Sequence, residues 1–328
     1  MASLVSRRSA VSTGISVPVL AILVAVGVFL VVGSLVSDIF AQQTVAGLAQ
    51  GAIFASLALA LVLIYRATEV INFAQGELAM ATTYIAYQLT LWGLSYWLAF
   101  FLTLPIAFVL GVVLQVVFIR PVHQSIIAVV IVTVGLFILI DGLVTWKWGA
   151  DLKFMKAPFG NHVYRAGGVA FARQDIGVLA TSILSVILLW GLFQFTKIGL
   201  AMRAAALRPA AASLVGVRVN WMLAIGWGLA AVLGAVAGLM TEPTQFLQPT
   251  MMQPILLYAF AAAVLGGLES PAGSVIAGLM LGVFLNLVGQ YVGFATSELR
   301  LPLAFAVLLV VLLFKPSGLF GRKQVRRV

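Results

Sequence analysis

Apolar residues run along this chain in stretches close to membrane-spanning length, and the rhythm repeats from end to end. An α-helix needs about 20 predominantly apolar residues to cross a bilayer. The stretches fall at 17–36, 44–65, 69–90, 95–118, 126–147, 176–195, 220–240, 253–267, 272–292 and 300–314. The 69–90 stretch is interrupted by Glu69, Asn72, Gln75 and Glu77, and 253–267 is short. The expected count is therefore eight to ten spans. The pattern predicts an all-α, polytopic transmembrane helical bundle, folded as a single domain over residues 1–328.

Two places break the apolar rhythm from within. EVINFAQGELAM, at 69–80, and AVLGGLESPAGSV, at 263–275, mix glycine with polar residues inside or beside an apolar run. Discontinuous helices at membrane depth are tolerated where they line a cavity or are buried in protein. Both halves of the chain share an apolar run, a glycine–polar break and a second apolar run, with too little residue identity to assert a repeat. Gly234 with Gly238, and Gly278 with Gly282, give the small-residue spacing that lets helices approach closely in lipid. Bundle packing is the favoured reading of those pairs over gating.

Composition sharpens this picture. The chain is 63% hydrophobic and 9% charged, against about 25% charged in soluble domains. Its net charge of +10 invites a nucleic-acid reading, which the positions of the charges oppose. With ten spans and the N-terminus inside, thirteen basic residues fall on the cytoplasmic side: Arg7, Arg8, Arg66, Arg120, Lys197, Arg203, Arg208, Arg218, Lys315, Arg322, Lys323, Arg326 and Arg327. Six fall outside: Lys147, Lys153, Lys156, Arg165, Arg173 and Arg300. This is the positive-inside bias of a membrane protein. It places both termini in the cytoplasm. The segment from Arg7 through IFAQQ also has signal-peptide features, but its apolar core is long and Ile39 suits a cleavage site poorly. An uncleaved first helix is expected.

The loop at 196–219 is cytoplasmic in this topology, and from Lys197 to Arg218 it is basic and alanine-rich, with no acidic residue. Pro209 suits a first helical position, where a missing N–H costs nothing. Gly216 suits the residue just past a helix end. A short capped helix is expected between them, with the character of a docking element. The largest outer piece, 148–175, is expected to cap the extracellular mouth.

Glu77 is the sharpest candidate for chemistry, because an ionisable residue inside a span faces protein or water. On a continuous helix it would share no face with Asn72 or Gln75, so the three converge only if the segment unwinds. The simpler expectation ties Glu77 to backbone N–H groups at a helix start. Asp141 is expected to be structural, paired with Lys147 or with another helix. Glu242, Asp151 and Asp175 are expected to be solvated in outer loops, and Glu269 to cap an inner turn. Phosphate-loop, zinc-protease and nucleophile-elbow motifs are absent. There is no cysteine, and His123 and His162 fall on opposite sides of the membrane. The residues suggest no enzyme, no metal site and no cofactor.

Three passages then become specific together. GLAQGAIFASLALALVLIYRATEVINFAQGELAM, AFAAAVLGGLESPAGSVIAGLMLG and KPSGLFGRK resemble, in order, the signatures of the branched-chain amino-acid (Liv-type) permeases of bacterial ABC importers. The loop between them resembles the family's ATPase-docking loop. The resemblance runs from about Gly47 to Arg322 and fits the shorter, H-type subunit. It implies docking of a separate ATPase by Arg203, Arg208, Pro209, Ala211, Leu214, Val215 and Gly216. It also implies that Asn72, Phe73, Gln75, Gly76 and Glu77 in the first break, and Gly266, Gly267, Ser270 and Gly273 in the second, line or brace a translocation pathway. The implied partners are a second homologous permease subunit, two cytoplasmic ATPase subunits and an extracytoplasmic substrate-binding protein. The implied location is the bacterial inner membrane. Three positions depart from the pattern. Gln75 replaces a frequent histidine, Ala210 a frequent glutamate, and Glu269 a frequent glycine. The competing class is an ion-coupled secondary transporter using Glu77 and Asp141.

Overall fold

The computed structural model describes residues 26–33, 37–122, 125–160, 162–166, 169–293 and 297–321. Most of the first span lies outside these residues, as do His123 and the basic tail from Arg322. Residues 26–33 are helical. After them come α1 (Asp38–Thr68), α2 (Gln75–Leu91), α3 (Tyr96–Leu114), α4 (Ile126–Trp148), the strands β1 (Val163–Ala166) and β2 (Val169–Ala172), and α5 (Arg173–Phe195). Next come α6 (Lys197–Leu207), α7 (Pro209–Leu214), α8 (Val219–Gln245), α9 (Gln253–Gly266), α10 (Pro271–Tyr291) and α11 (Arg300–Phe314). Beyond α3 the chain keeps turning, first as a wider π turn over Gln115–Ile119 and then as a 3₁₀ turn to Val122.

Six of these helices are long and apolar enough to cross a membrane, and α9 and α11 are shorter apolar helices. With the 17-residue α2, the described residues agree with a bundle of eight to ten spans. The protein is a multi-pass membrane protein.

Close packing in the centre depends on missing side chains. The helix α1 packs more extensively on α10 than on any other element. A Cβ on Gly51 would stand 2.8 Å from the backbone of Leu279, and one on Gly278 would stand 2.7 Å from that of Ala55. A Cβ on Gly282 would strike the Gly51 backbone. The second small-residue pair seats α8 on α2 in the same way, with Gly234 against Gln75 and Ala79, and Gly238 against Thr83 and Ala79. Both pairs therefore serve packing, as expected from their spacing. The helices α1 and α8 are the most enclosed of the long spans, whereas α4 and α5 turn most of their apolar surface outward.

The 148–175 piece is more ordered than a bare loop. It contains an antiparallel hairpin in which Val163 faces Ala172 and Ala166 faces Val169. Its second strand rests on α1 and α5. This small hairpin is the only strand pair among the described residues, and the fold class stays all-α.

Candidate functional site

The first break begins where α1 ends. Its C-cap Glu69 takes a left-handed conformation, with φ 57° and ψ 14°. Helix resumes only at Gln75. The unwinding needed for the polar residues to meet is therefore present. The Asn72 Oδ1 accepts from the Ala74 N–H at 3.0 Å, and the Asn72 Nδ2 donates to the Gln75 Oε1 at 3.3 Å. The Gln75 Nε2 donates to the Ala230 carbonyl of α8 at 2.9 Å. Asn72, Gln75 and Glu77 are all buried. The side chains of Asn72 and Gln75 form a chain of hydrogen bonds from the break into the middle of α8. Phe73 points outward from the same break.

Glu77 lies in the first turn of α2, but its side-chain partner differs from the expectation. Its Oε1 accepts from the Gln253 side chain of α9 at 3.4 Å, instead of from backbone N–H groups. Its Oε2 is buried without a partner. Asp141 on α4 likewise holds a buried, unpartnered Oδ1. Lys147 does not pair with Asp141: its ammonium sits over the Trp148 ring, 4.5 Å from the centroid. Trp148 donates to the Gln88 side chain at 2.9 Å and packs against Tyr84. These contacts fix α4 beside α2.

The second break is closed by the C-terminal segment. Gly267 takes φ 97°, where an L side chain would be strained. The carbonyls of Leu265 and Gly266 accept from the N–H groups of Leu319 and Phe320 at 2.7 and 3.1 Å. A Cβ on Gly267 would stand 2.9 Å from the Gly321 nitrogen, and one on Gly266 would strike the Gly273 backbone. Ser270 caps α10 by accepting from the Gly273 N–H at 3.1 Å. Two passages far apart in sequence, GGLESPAG and KPSGLFG, are thus one joint. Gly266, Gly267 and Ser270, expected to line or brace a pathway, contact the C-terminal segment and α10.

The expected short helix is present as α7, with Pro209 in its first turn. The N–H of Val217 donates to the Ala212 carbonyl at 3.0 Å, and Gly216 takes φ 85°, which ends the helix. The preceding helix α6 is capped by Thr196, which accepts from the Gly199 N–H, and is steadied by Arg203 donating to the Gln194 side chain. Ala212 is buried, while Leu214 is 88% and Val215 79% exposed. Arg208 and Ala211 are also exposed. Neighbouring exposed large apolar residues on a short ordered element mark an interaction site more often than chance.

At the other end of α8, two corrections apply. Glu242 is not solvated: the helix continues to Gln245, and the carboxylate is 1% exposed. Its Oε1 accepts from the Met155 N–H at 2.7 Å. The expected span ended at 240, five residues short of this helix end. Asp175 lies half-buried in the first turn of α5, and only Asp151 is freely exposed. Beyond Glu242, Phe246 takes φ 61° and ψ 157°, a region that costs a non-glycine residue about 1–3 kcal/mol. Reciprocal backbone bonds between Lys153 and Leu247, at 2.9 and 3.0 Å, hold it there. No feature of the sequence marks this clamp beyond the proximity of both segments to span ends.

Two helix breaks and an ordered loop helix, set in a multi-pass helical bundle, define a polytopic membrane protein. The family model described as branched-chain amino acid transport system / permease component matches residues 43–312, and the chain belongs to that family. It is 28% identical over 304 residues to the high-affinity branched-chain amino acid transport system permease protein LivH of Salmonella typhimurium, covering 88% of this chain and 98% of the relative. It is equally similar to BraD of Pseudomonas aeruginosa, at 28% over 308 residues and the same coverage. It is 30% identical over 286 residues to a probable LivH of Methanocaldococcus jannaschii, covering 81% of this chain and 87% of the relative. The family is one of transport permeases, not enzymes, and no metal-binding group of three or more candidate ligands occurs among the described residues.

Proposed function

We propose that this chain is a permease subunit of an ABC importer for branched-chain or related amino acids. It pairs with a second homologous permease subunit in the inner membrane, with both termini cytoplasmic. Two separate ATPase subunits drive it, and an extracytoplasmic binding protein delivers the substrate. The observation that carries this reading is α7, begun at Pro209 and closed at Gly216, with Leu214 and Val215 turned outward. In this reading Arg203, Arg208, Pro209, Ala211, Leu214, Val215 and Gly216 form the seat of the ATPase. With Ala210 in place of an acid, the contact rests on Leu214, Val215 and helix shape, while the arginines orient it. Closure of the ATPase pair on ATP would push α6 and α7 and, through Gly216, the long helix α8. Asn72 and Gln75 tie the first break to α8 at Ala230, so that motion reaches the break directly.

The test is assembly and uptake. Leu214→Asp puts a charge into an apolar contact and should abolish both co-purification with the ATPase and ATP-driven leucine uptake. Normal assembly and transport by this variant would overturn the docking assignment. The unpartnered buried oxygens of Glu77 and Asp141 favour a second reading, ion-coupled transport. Uptake that survives ATP depletion and collapses with an uncoupler would support it.

A further inference from the structure

The seam between α2 and α4 holds buried polar groups that neither the docking helix nor the two joints use. Glu77, Met80 and Tyr84 recur along α2, and Asp141, Val144 and Trp148 recur along α4. Residues at such spacing lie on one helix face, so each helix offers a stripe with a carboxylate at one end and an aromatic ring at the other. The stripes meet in register. The Tyr84 and Trp148 rings pack with centroids 5.4 Å apart, and Asp141 lies within electrostatic reach of both Glu77 and Tyr84. Met80 and Val144 are buried in the same apolar cluster as Tyr84. Three acceptors on this seam stand open: the Glu77 Oε2, the Asp141 Oδ1 and the Tyr84 hydroxyl are buried and bond to no described residue. Glu77 and Tyr84 are both 0% exposed. The hydroxyl is evidence independent of the two carboxylates, because a ring that only packed would be served by phenylalanine. Buried acceptors left open are costly, and carboxylates without a cation are costlier still. Lys147 does not supply that cation, since its ammonium rests over the Trp148 ring.

We propose that Glu77, Asp141 and Tyr84 form a transit site for the α-ammonium group of an amino-acid substrate. The match lies in donors and shape. A primary ammonium carries three N–H donors and no acceptor, and the seam sets out three open acceptors. The aromatic wall suits the same cation, and Lys147 already lays a primary ammonium on the Trp148 ring. A hard metal ion fits less well, because it takes about six or more oxygen ligands and no group of three or more candidate metal ligands occurs among the described residues. The depth fits too. Gln75 bonds near the middle of α8, so Glu77, two residues on, stands half-way through the bundle, where a charged solute most needs a partner. The helix α4 turns most of its apolar surface outward, so the seam can part without opening the core. The proposal rests on the importer reading and deepens it: the permease itself favours solutes with a primary ammonium over neutral amides and amine-free acids.

The experiment uses the full importer in nanodiscs without its binding protein and follows the melting temperature as leucine, isoamylamine, isocaproate or sodium chloride is added. Isoamylamine keeps the ammonium of leucine and drops the carboxylate; isocaproate does the reverse. Leucine and isoamylamine are expected to raise the melting temperature, and isocaproate and sodium to leave it unchanged. Glu77→Gln and Asp141→Asn keep the side-chain shape and are expected to weaken the apparent Kd for isoamylamine about tenfold to a hundredfold, the worth of a hydrogen bond to a charged group. Tyr84→Phe keeps the ring on Trp148 and is expected to weaken it about two- to tenfold. A purely structural role would shift the melting temperature without ligand and leave the preference for amine over acid intact. Native amine affinity in Glu77→Gln, no protection of the native importer by the amine, or equal protection by isocaproate would overturn the site. Protection by sodium alone would also overturn it, making the seam a metal-cation site. Absence of ATP-dependent leucine uptake by the native importer with its binding protein would instead overturn the importer reading, on which the amine titration does not depend.

Discussion

Between α1 and α2 the chain turns on side chains, with Asn72, Gln75 and the Ala230 carbonyl passing hydrogen bonds from the break into α8. Between α9 and α10 it turns on main chain, with the Leu265 and Gly266 carbonyls taken up by N–H groups of the C-terminal segment. Both solutions meet the same requirement: every backbone polar group freed by a break in lipid must find a partner. The first joint depends on side-chain identity, and each of its amides makes a bond that no neighbour can replace. The second depends on the absence of side chains, because Gly266, Gly267 and Gly273 let two backbones touch. In the proposed cycle the first joint would move with α8, while the second, which ties the segment after α11 to the turn between α9 and α10, would set the reference against which α8 moves.

This contrast can be broken by substitution. The largest effect is expected from Gly266→Val, since even a Cβ there strikes the Gly273 backbone. Overpacking of this kind costs about 1–3 kcal/mol where the surroundings can shift, and backbone-on-backbone contact leaves little to shift. Loss of the folded, monodisperse protein on size-exclusion chromatography is the expected result. A smaller effect is expected from Gln75→Ala, which removes the link to α8 and strands Asn72, a cost of about 1–3 kcal/mol. The protein should fold with a lowered melting temperature, and the loss of transport should exceed the loss of stability. The smallest is expected from Ser270→Ala, which removes only the cap of α10, worth about 1 kcal/mol. A modest drop in melting temperature with transport retained would confirm that the second joint is held by its main chain.

The helices themselves followed from apolar run length, which is why observed and expected spans agree to within a few residues over most of the chain. The breaks were visible as glycine and polar residues in apolar surroundings, and α7 was visible from Pro209 and Gly216. Partners across the fold were not. Asn72 and Gln75 read as lining or bracing a pathway, and the sequence could not show that their amides would bond each other and the Ala230 carbonyl. The C-terminal closure of the second break uses backbone N–H groups, which every residue owns and no residue advertises. Glu242 read as solvated because it lies beyond the apolar run that ends at 240, whereas the helix carries proline in its last turn and runs on to Gln245. Nothing local could show that the Met155 N–H would reach that carboxylate.

The central claim is that force enters this permease at α7. The most direct measurement is leucine uptake into proteoliposomes holding the full importer, loaded with ATP and supplied with the binding protein, for the native chain and for Leu214→Asp. The account predicts ATP-dependent uptake, unaffected by an uncoupler, in the native chain, and its loss together with the ATPase subunits in the variant. Undiminished uptake by Leu214→Asp, or native uptake that needs no ATP and collapses with the uncoupler, would contradict it.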